Sequence, residues 1–152
     1  MQSPFTSQNL TPPVEGRVSD REMRATAREG GARGVLLAED DEDVRLMMST
    51  LLKMRGYRVF EARDGQETLQ VAKEVRPDIV LMDLQLPRLN GFAVTRFLRQ
   101  TDALRHVPII VVSAHDPAKH RNLALAAGCN AYVQKPIDFD RLSELMLSLL
   151  PE

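Results

Sequence analysis

From Gly34 onward the chain alternates short apolar runs with longer stretches in which apolar residues recur at helical spacing. "VLLA" (35–38), "IVLMD" (79–83) and "IIVVSA" (109–114) are aliphatic runs without polar alternation. Such runs predict strands covered on both faces. "YRVFEA" (57–62) alternates, as a strand near a sheet edge does, and "AYVQ" (131–134) is a short fifth strand. A first helix is predicted by Val44, Met47, Met48, Leu51 and Leu52, with Gly56 as its stop. "DG" at 64–65 turns the chain, and Asp64 can cap a second helix carrying Leu69, Ala72 and Val75 that Pro77 ends. Gly91 opens a third, with Val94 and Leu98 on one side. Pro117 suits the first turn of a fourth, which runs to about Ala127 and stops at Gly128. Asp138 caps a fifth, with Leu142, Leu145, Met146 and Leu149 inside.

Strand and helix thus alternate five times. Right-handed crossovers then give an α/β fold, a doubly wound (βα)5 parallel sheet. In such sheets ligands bind beyond the carboxyl ends of the strands. The side chains that follow each strand are therefore the ones to inspect.

The first 33 residues break the pattern. They hold Pro4, Pro12, Pro13 and the Gly30-Gly31 pair, with few large apolar side chains to offset the entropy of ordering. Ser19 and Glu22 have capping-box spacing, which allows a short helix through "DREMRATARE". The expected division is a flexible or disordered tail over 1–33 and one folded domain over 34–152. Hydrophobic residues at 43% and charged residues at 27% fit a soluble core. A net charge of −1 and the absence of Trp give no pull toward nucleic acid or anionic lipid. No apolar run is long enough to span a bilayer, and "MQSPFTSQNL" lacks the features of a secretory signal. The single cysteine, Cys129, excludes an internal disulfide and a CxxC metal site, and suits a reducing, cytoplasmic compartment. His106, His115 and His120 show no paired ligand spacing.

Polar chemistry gathers at the strand ends. Glu39 and Asp40 follow the first strand, Asp83 ends the third, Ser113 ends the fourth, and Lys135-Pro136 follows the fifth. Asp41 and Asp43 have a simpler reading as carboxylates at a helix N-terminus. Three clustered carboxylates repel one another and call for a cation, and oxygen ligands favour Mg²⁺ or Ca²⁺ over zinc. A carboxylate can attack phosphorus, with metal and lysine neutralising the phosphoryl oxygens. Asp83, set at the tip of an apolar strand, is the candidate nucleophile.

The stretches "LLAEDDEDVR", "LMDLQLPRLNG", "IIVVSA" and "AYVQKPID" resemble those of bacterial response-regulator receiver domains, in order and over roughly Gly34 to Leu150. The resemblance implies a flavodoxin-like strand order 2-1-3-4-5. It also implies a phosphoprotein of a two-component or phosphorelay system rather than an enzyme, its chemistry limited to self-phosphorylation and autodephosphorylation. Asp83 resembles the phosphoacceptor, supplied by a histidine kinase or a histidine phosphotransfer protein. Mg²⁺ would be held by Asp40 and Asp83, by Glu39 through water, and by the backbone carbonyl of Gln85. Ser113 resembles the switch hydroxyl, Lys135 the lysine that pairs with phosphoryl oxygens, and Tyr132 the switch aromatic. The Lys135-Pro136 bond would be cis. Glu39 stands where aspartate is commoner, and Ser113 where threonine is. Gln85 and His115 fall where side chains affect the lifetime of the phosphoryl group.

The implied output is a shift of the surface formed by the fourth helix, fifth strand and fifth helix. Nothing resembling a DNA-binding domain follows the last helix, so a stand-alone receiver is expected. It would act through a downstream target protein, as a monomer or a phosphorylation-dependent dimer. Two rivals remain. An aspartyl-phosphate phosphohydrolase of the haloacid-dehalogenase type would need a second aspartate where Gln85 stands. A docking module that is never phosphorylated would not need the acid, hydroxyl and lysine set. "GGARG" precedes the first strand instead of following it, which disfavours a phosphate-cradling nucleotide site.

Overall fold

A computed structural model describes residues 31–151. The tail expected over 1–33 therefore lies outside the described residues, except for Gly31, Ala32 and Arg33. Five strands form one sheet: β1 (Gly34–Ala38), β2 (Arg58–Ala62), β3 (Ile79–Asp83), β4 (Ile109–Ser113) and β5 (Ala131–Gln134). Five helices connect and follow them: α1 (Glu42–Met54), α2 (Gly65–Val75), α3 (Gly91–Gln100), α4 (Pro117–Ala127) and α5 (Phe139–Leu149). A 3₁₀ turn, Asp102–Leu104, sits between α3 and β4. All pairings are parallel, and the strand order is β2-β1-β3-β4-β5.

Alternation along the strands divides the core in two. Leu36, Ala38, Val80, Met82, Ile109 and Val111 point to one face, where they meet Ala72 of α2, Val94 and Leu98 of α3, and Ala124 of α4. Val35, Leu37, Ile79, Leu81, Ile110 and Val112 point to the other, against Met48 and Leu52 of α1 and Leu142 and Met146 of α5. Each fully buried aliphatic side chain contributes about 1.5–3 kcal/mol relative to exposure. This is why β1, β3 and β4 read as unbroken apolar runs, while β2, at an edge, keeps polar residues.

The helix starts are set locally. An Asp or Asn side chain caps each helix: Asp41, Asp64, Asn90, Asp116 and Asp138 accept from backbone N–H groups in the first turn at 2.8–3.2 Å. Gly128 ends α4 at φ 116°, a conformation that favours glycine. Gly65 answers a different demand. A Cβ there would lie 1.9 Å from the carbonyl oxygen of Leu89, so the loop after β3 can press against the start of α2 only because that position has no side chain.

One expectation for α1 is corrected. Met47, placed on the apolar side by its spacing, is 52% exposed. Arg45 and Ser49 take the inward positions beside Met48 and Leu52. The polar pair is accommodated because both residues hydrogen-bond Glu61 of β2.

Candidate functional site

The strand order reverses direction between β1 and β3. A crevice opens there beyond the carboxyl ends, where a doubly wound sheet binds its ligand. Register brings the strand-end residues into one row. Ala38 pairs with Met82, Asp83 with Val112, and Ser113 with Gln134. Glu39 and Lys135 each lie one residue past the last paired position of β1 and β5, so the row continues through them.

The side chains converge as that register requires. Lys135 Nζ donates to Asp83 Oδ2 at 2.9 Å and to Glu39 Oε1 at 3.2 Å. One carboxylate oxygen each of Glu39, Asp40 and Asp83 lies within 4.8 Å of the other two. Asp83 Oδ1 accepts the Gln85 N–H at 2.8 Å. Ser113 is fully buried at the end of β4, and its Oγ accepts the His115 N–H at 3.0 Å. The Tyr132 hydroxyl donates to the His115 carbonyl at 3.0 Å, so both side chains hold the same turn. The Lys135-Pro136 peptide is cis.

The electrostatics are those of a crowded anionic pocket. Burial is the largest influence on Glu39 and raises its pKa. The Asp41 N–H draws it back, the Asp83 charge raises it again, and Lys135 lowers it, leaving Glu39 above the ordinary carboxylate value. Burial works to lower the Lys135 pKa, but Asp83 and then Glu39 outweigh it and hold the ammonium above its ordinary value. Lys135 is one cation among three carboxylates. An all-oxygen donor set with surplus negative charge suits a hard divalent ion such as Mg²⁺. Among the described residues this is the cluster of acidic, histidine or cysteine side chains able to hold a metal. His115 and His120 are outside it; their rings stack on each other at 4.6 Å. Cys129 takes no part either, since burial pushes its thiol up to about 11.

A profile of the response regulator receiver domain matches residues 35–147. The chain belongs to that family. It is 38% identical over 118 residues to the polar-differentiation response regulator DivK of Brucella anthropi, covering 78% of this chain and 96% of the relative. DivK of Brucella ovis is 36% identical over the same length. Among solved structures, the receiver domain of the sensor histidine kinase PA1611 from Pseudomonas aeruginosa superposes with a TM-score of 0.73 at 33% identity. That match covers 78% of this chain and 98% of the other, which carries a magnesium ion coordinated in its active-site cleft. The Vibrio cholerae chemotaxis protein CheY4 gives a TM-score of 0.75 at 26% identity, over 79% of this chain and all of the other. This receiver domain therefore functions in two-component signalling, and its flavodoxin-like sheet is the one the family shares.

Sequence reasoning overlooked two contributors to the receiver site. Arg45 is buried and donates to the Glu39 carbonyl. A signal for it existed: Arg45, Met48 and Leu52 share helical spacing, so a charged residue stands in the buried stripe. The His115 backbone, which joins Ser113 to Tyr132, left no sequence signal because any residue supplies those groups.

Proposed function

We propose that Asp83 accepts a phosphoryl group from a phosphohistidine on a histidine kinase or histidine phosphotransfer protein. The single observation that carries this reading is the Asp83 carboxylate held 2.9 Å from Lys135 within a three-carboxylate cluster. An Asp83 oxygen attacks phosphorus, the P–N bond to the donor imidazole breaks, and that nitrogen leaves with the electron pair and takes up a proton. Asp40, Asp83 and the Gln85 carbonyl would hold Mg²⁺, with Glu39 acting through water. When bound, the ion supplies positive charge against the phosphoryl oxygens. Lys135 meets the same oxygens from the β5 side, and its grip on Asp83 orients the carboxylate beforehand. Ser113 supplies a hydrogen bond to the transferred group.

The consequence is a shift of population at the surface of α4, β5 and α5. Ser113 Oγ exchanges the His115 N–H for the phosphoryl group, and the 113–115 turn and Tyr132 rearrange together. Output is contact with a downstream target protein, by a monomer or a phosphorylation-dependent dimer in the cytoplasm. The chemistry is confined to phosphorylation and dephosphorylation of the chain itself.

Incubation with acetyl phosphate and Mg²⁺, followed by intact-protein and peptide mass spectrometry, tests this. One phosphoryl group on Asp83 is expected, lost in Asp83→Asn and absent without divalent ion. Labelling elsewhere, or none at all with Mg²⁺ present, contradicts the reading.

A further inference from the structure

Arg45 reaches back from α1 to the turn that carries Asp40. Its backbone N–H donates to the carbonyl of Asp41 at 2.9 Å, and its Nη1 donates to the carbonyl of Glu39 at 2.9 Å. The guanidinium thus holds the peptide group that precedes Asp40, while the backbone bond to Asp41 is the first helical hydrogen bond of α1. The guanidinium completes its fork on Glu61 of β2, with Nε 3.1 Å from Oε1, and Ser49 donates to the other oxygen of Glu61 at 3.3 Å. A charge that is 11% exposed is tolerated because it is paired and hydrogen-bonded.

The Asp40 carboxylate itself has no such support. It is exposed, and among the described residues no hydrogen bond or ion pair reaches it. Glu39 differs: its side chain is held by the Asp41 N–H at 3.1 Å and by Lys135. The direction of Asp40 toward Glu39 and Asp83 is therefore set through its backbone. We infer that Arg45 is a positioning residue, which preorganises the Glu39–Asp40 turn for a divalent cation by holding the carbonyl that precedes Asp40. This deepens the reading above and rests on it.

The sign of the effect separates this role from a purely electrostatic one. Arg45 is itself a cation near the cation site, so removing its charge would by itself tighten Mg²⁺ binding. Loss of positioning weakens it. Arg45→Lys retains the charge and the aliphatic stem but cannot reach Glu39 and Glu61 as a fork.

The experiment compares wild type and Arg45→Lys by calorimetric Mg²⁺ titration, with amide hydrogen exchange at Asp40 and Asp41 in Mg²⁺-free protein. Roughly tenfold weaker Mg²⁺ binding is expected, the size of effect usual for groups that orient metal ligands, together with faster exchange. Phosphorylation by acetyl phosphate should slow at limiting Mg²⁺ and recover at saturating Mg²⁺, since a misdirected ligand is repaired by mass action and a damaged fold is not. Unchanged or tighter affinity, or a rate that saturating Mg²⁺ fails to restore, overturns the inference. If Arg45→Lys does not fold, Glu61→Gln replaces it, and unchanged exchange at Asp40 and Asp41 overturns the inference there. Wild-type protein that binds no Mg²⁺ sinks the parent reading and this one together; wild-type binding beside an unaffected variant sinks this one alone.

Discussion

Lys135 Nζ lies 2.9 Å from Asp83 Oδ2, although the two residues are 52 positions apart and are delivered by different strands. Asp83 ends β3 and Lys135 directly follows β5, and the register of the parallel sheet aligns those strand ends, so neither distance nor partner depends on a flexible loop alone. Lys135→Met removes the donor while keeping most of the stem. We expect the initial rate of Asp83 phosphorylation by acetyl phosphate at saturating Mg²⁺ to fall on the order of a hundredfold or more, as for loss of a preorganised donor to developing charge. A rate close to wild type would place the phosphoryl group away from Lys135.

Glu39 gives the site a pH signature. Burial raises its folded-state pKa above 4.5, so its contribution to stability is fully present below 4.5 and is lost as pH rises through the folded value. The raised Lys135 pKa adds stability that persists below 10.5 and disappears only as pH rises through its own folded value. Glu39→Gln should therefore stabilise the Mg²⁺-free protein at neutral pH, with the gain vanishing below pH 4.5. Urea unfolding across that range checks it; a loss at neutral pH would mean that the Lys135 contact outweighs desolvation.

Divalent ion and stability are linked. Mg²⁺ that binds the folded chain alone stabilises it by about 2.7 kcal/mol at a hundredfold excess over its dissociation constant. The melting temperature should rise accordingly, and Asp40→Asn should lose most of the rise. Equal Mg²⁺ stabilisation of the two proteins would remove Asp40 from the ligand set.

Ser113 and Tyr132 grip one turn through the His115 backbone. Tyr132→Phe deletes one of those hydrogen bonds and should cost about 1 kcal/mol of unfolding free energy. In wild type, phosphorylation should shift the NMR resonances of the Tyr132 ring. That shift should disappear in Ser113→Ala even when Asp83 is fully phosphorylated; a wild-type response there would uncouple the hydroxyl from the aromatic.

Gly65 reports on the loop after β3. Its N–H donates to the Pro87 carbonyl at 3.1 Å, and the Leu89 backbone occupies the space of a side chain. Gly65→Ala should therefore cost at least the upper end of the ~1–3 kcal/mol typical of overpacking, because the obstacle is backbone. Chemical denaturation measures it, and a change of a few tenths would show that the loop yields freely.

Much of this molecule is written in short stretches of chain. Helix starts at Asp64 and Asp138, stops at Gly56 and Gly128, and the unbroken strands "IVLMD" and "IIVVSA" follow from spacing and capping, which act within a few residues. The list of strand-end side chains follows equally, because a parallel sheet places them all at one edge. Tertiary structure decided what needs two distant segments. Helical periodicity treats Met47 and Arg45 by polarity alone, and only the docking of α1 against Glu61 of β2 turns the arginine inward and the methionine out. The same holds for the upward shift of Glu39, which arises from burial together with charges on β3 and beyond β5. Periodicity is a local property of one segment, whereas burial and Coulomb interaction are properties of how segments meet.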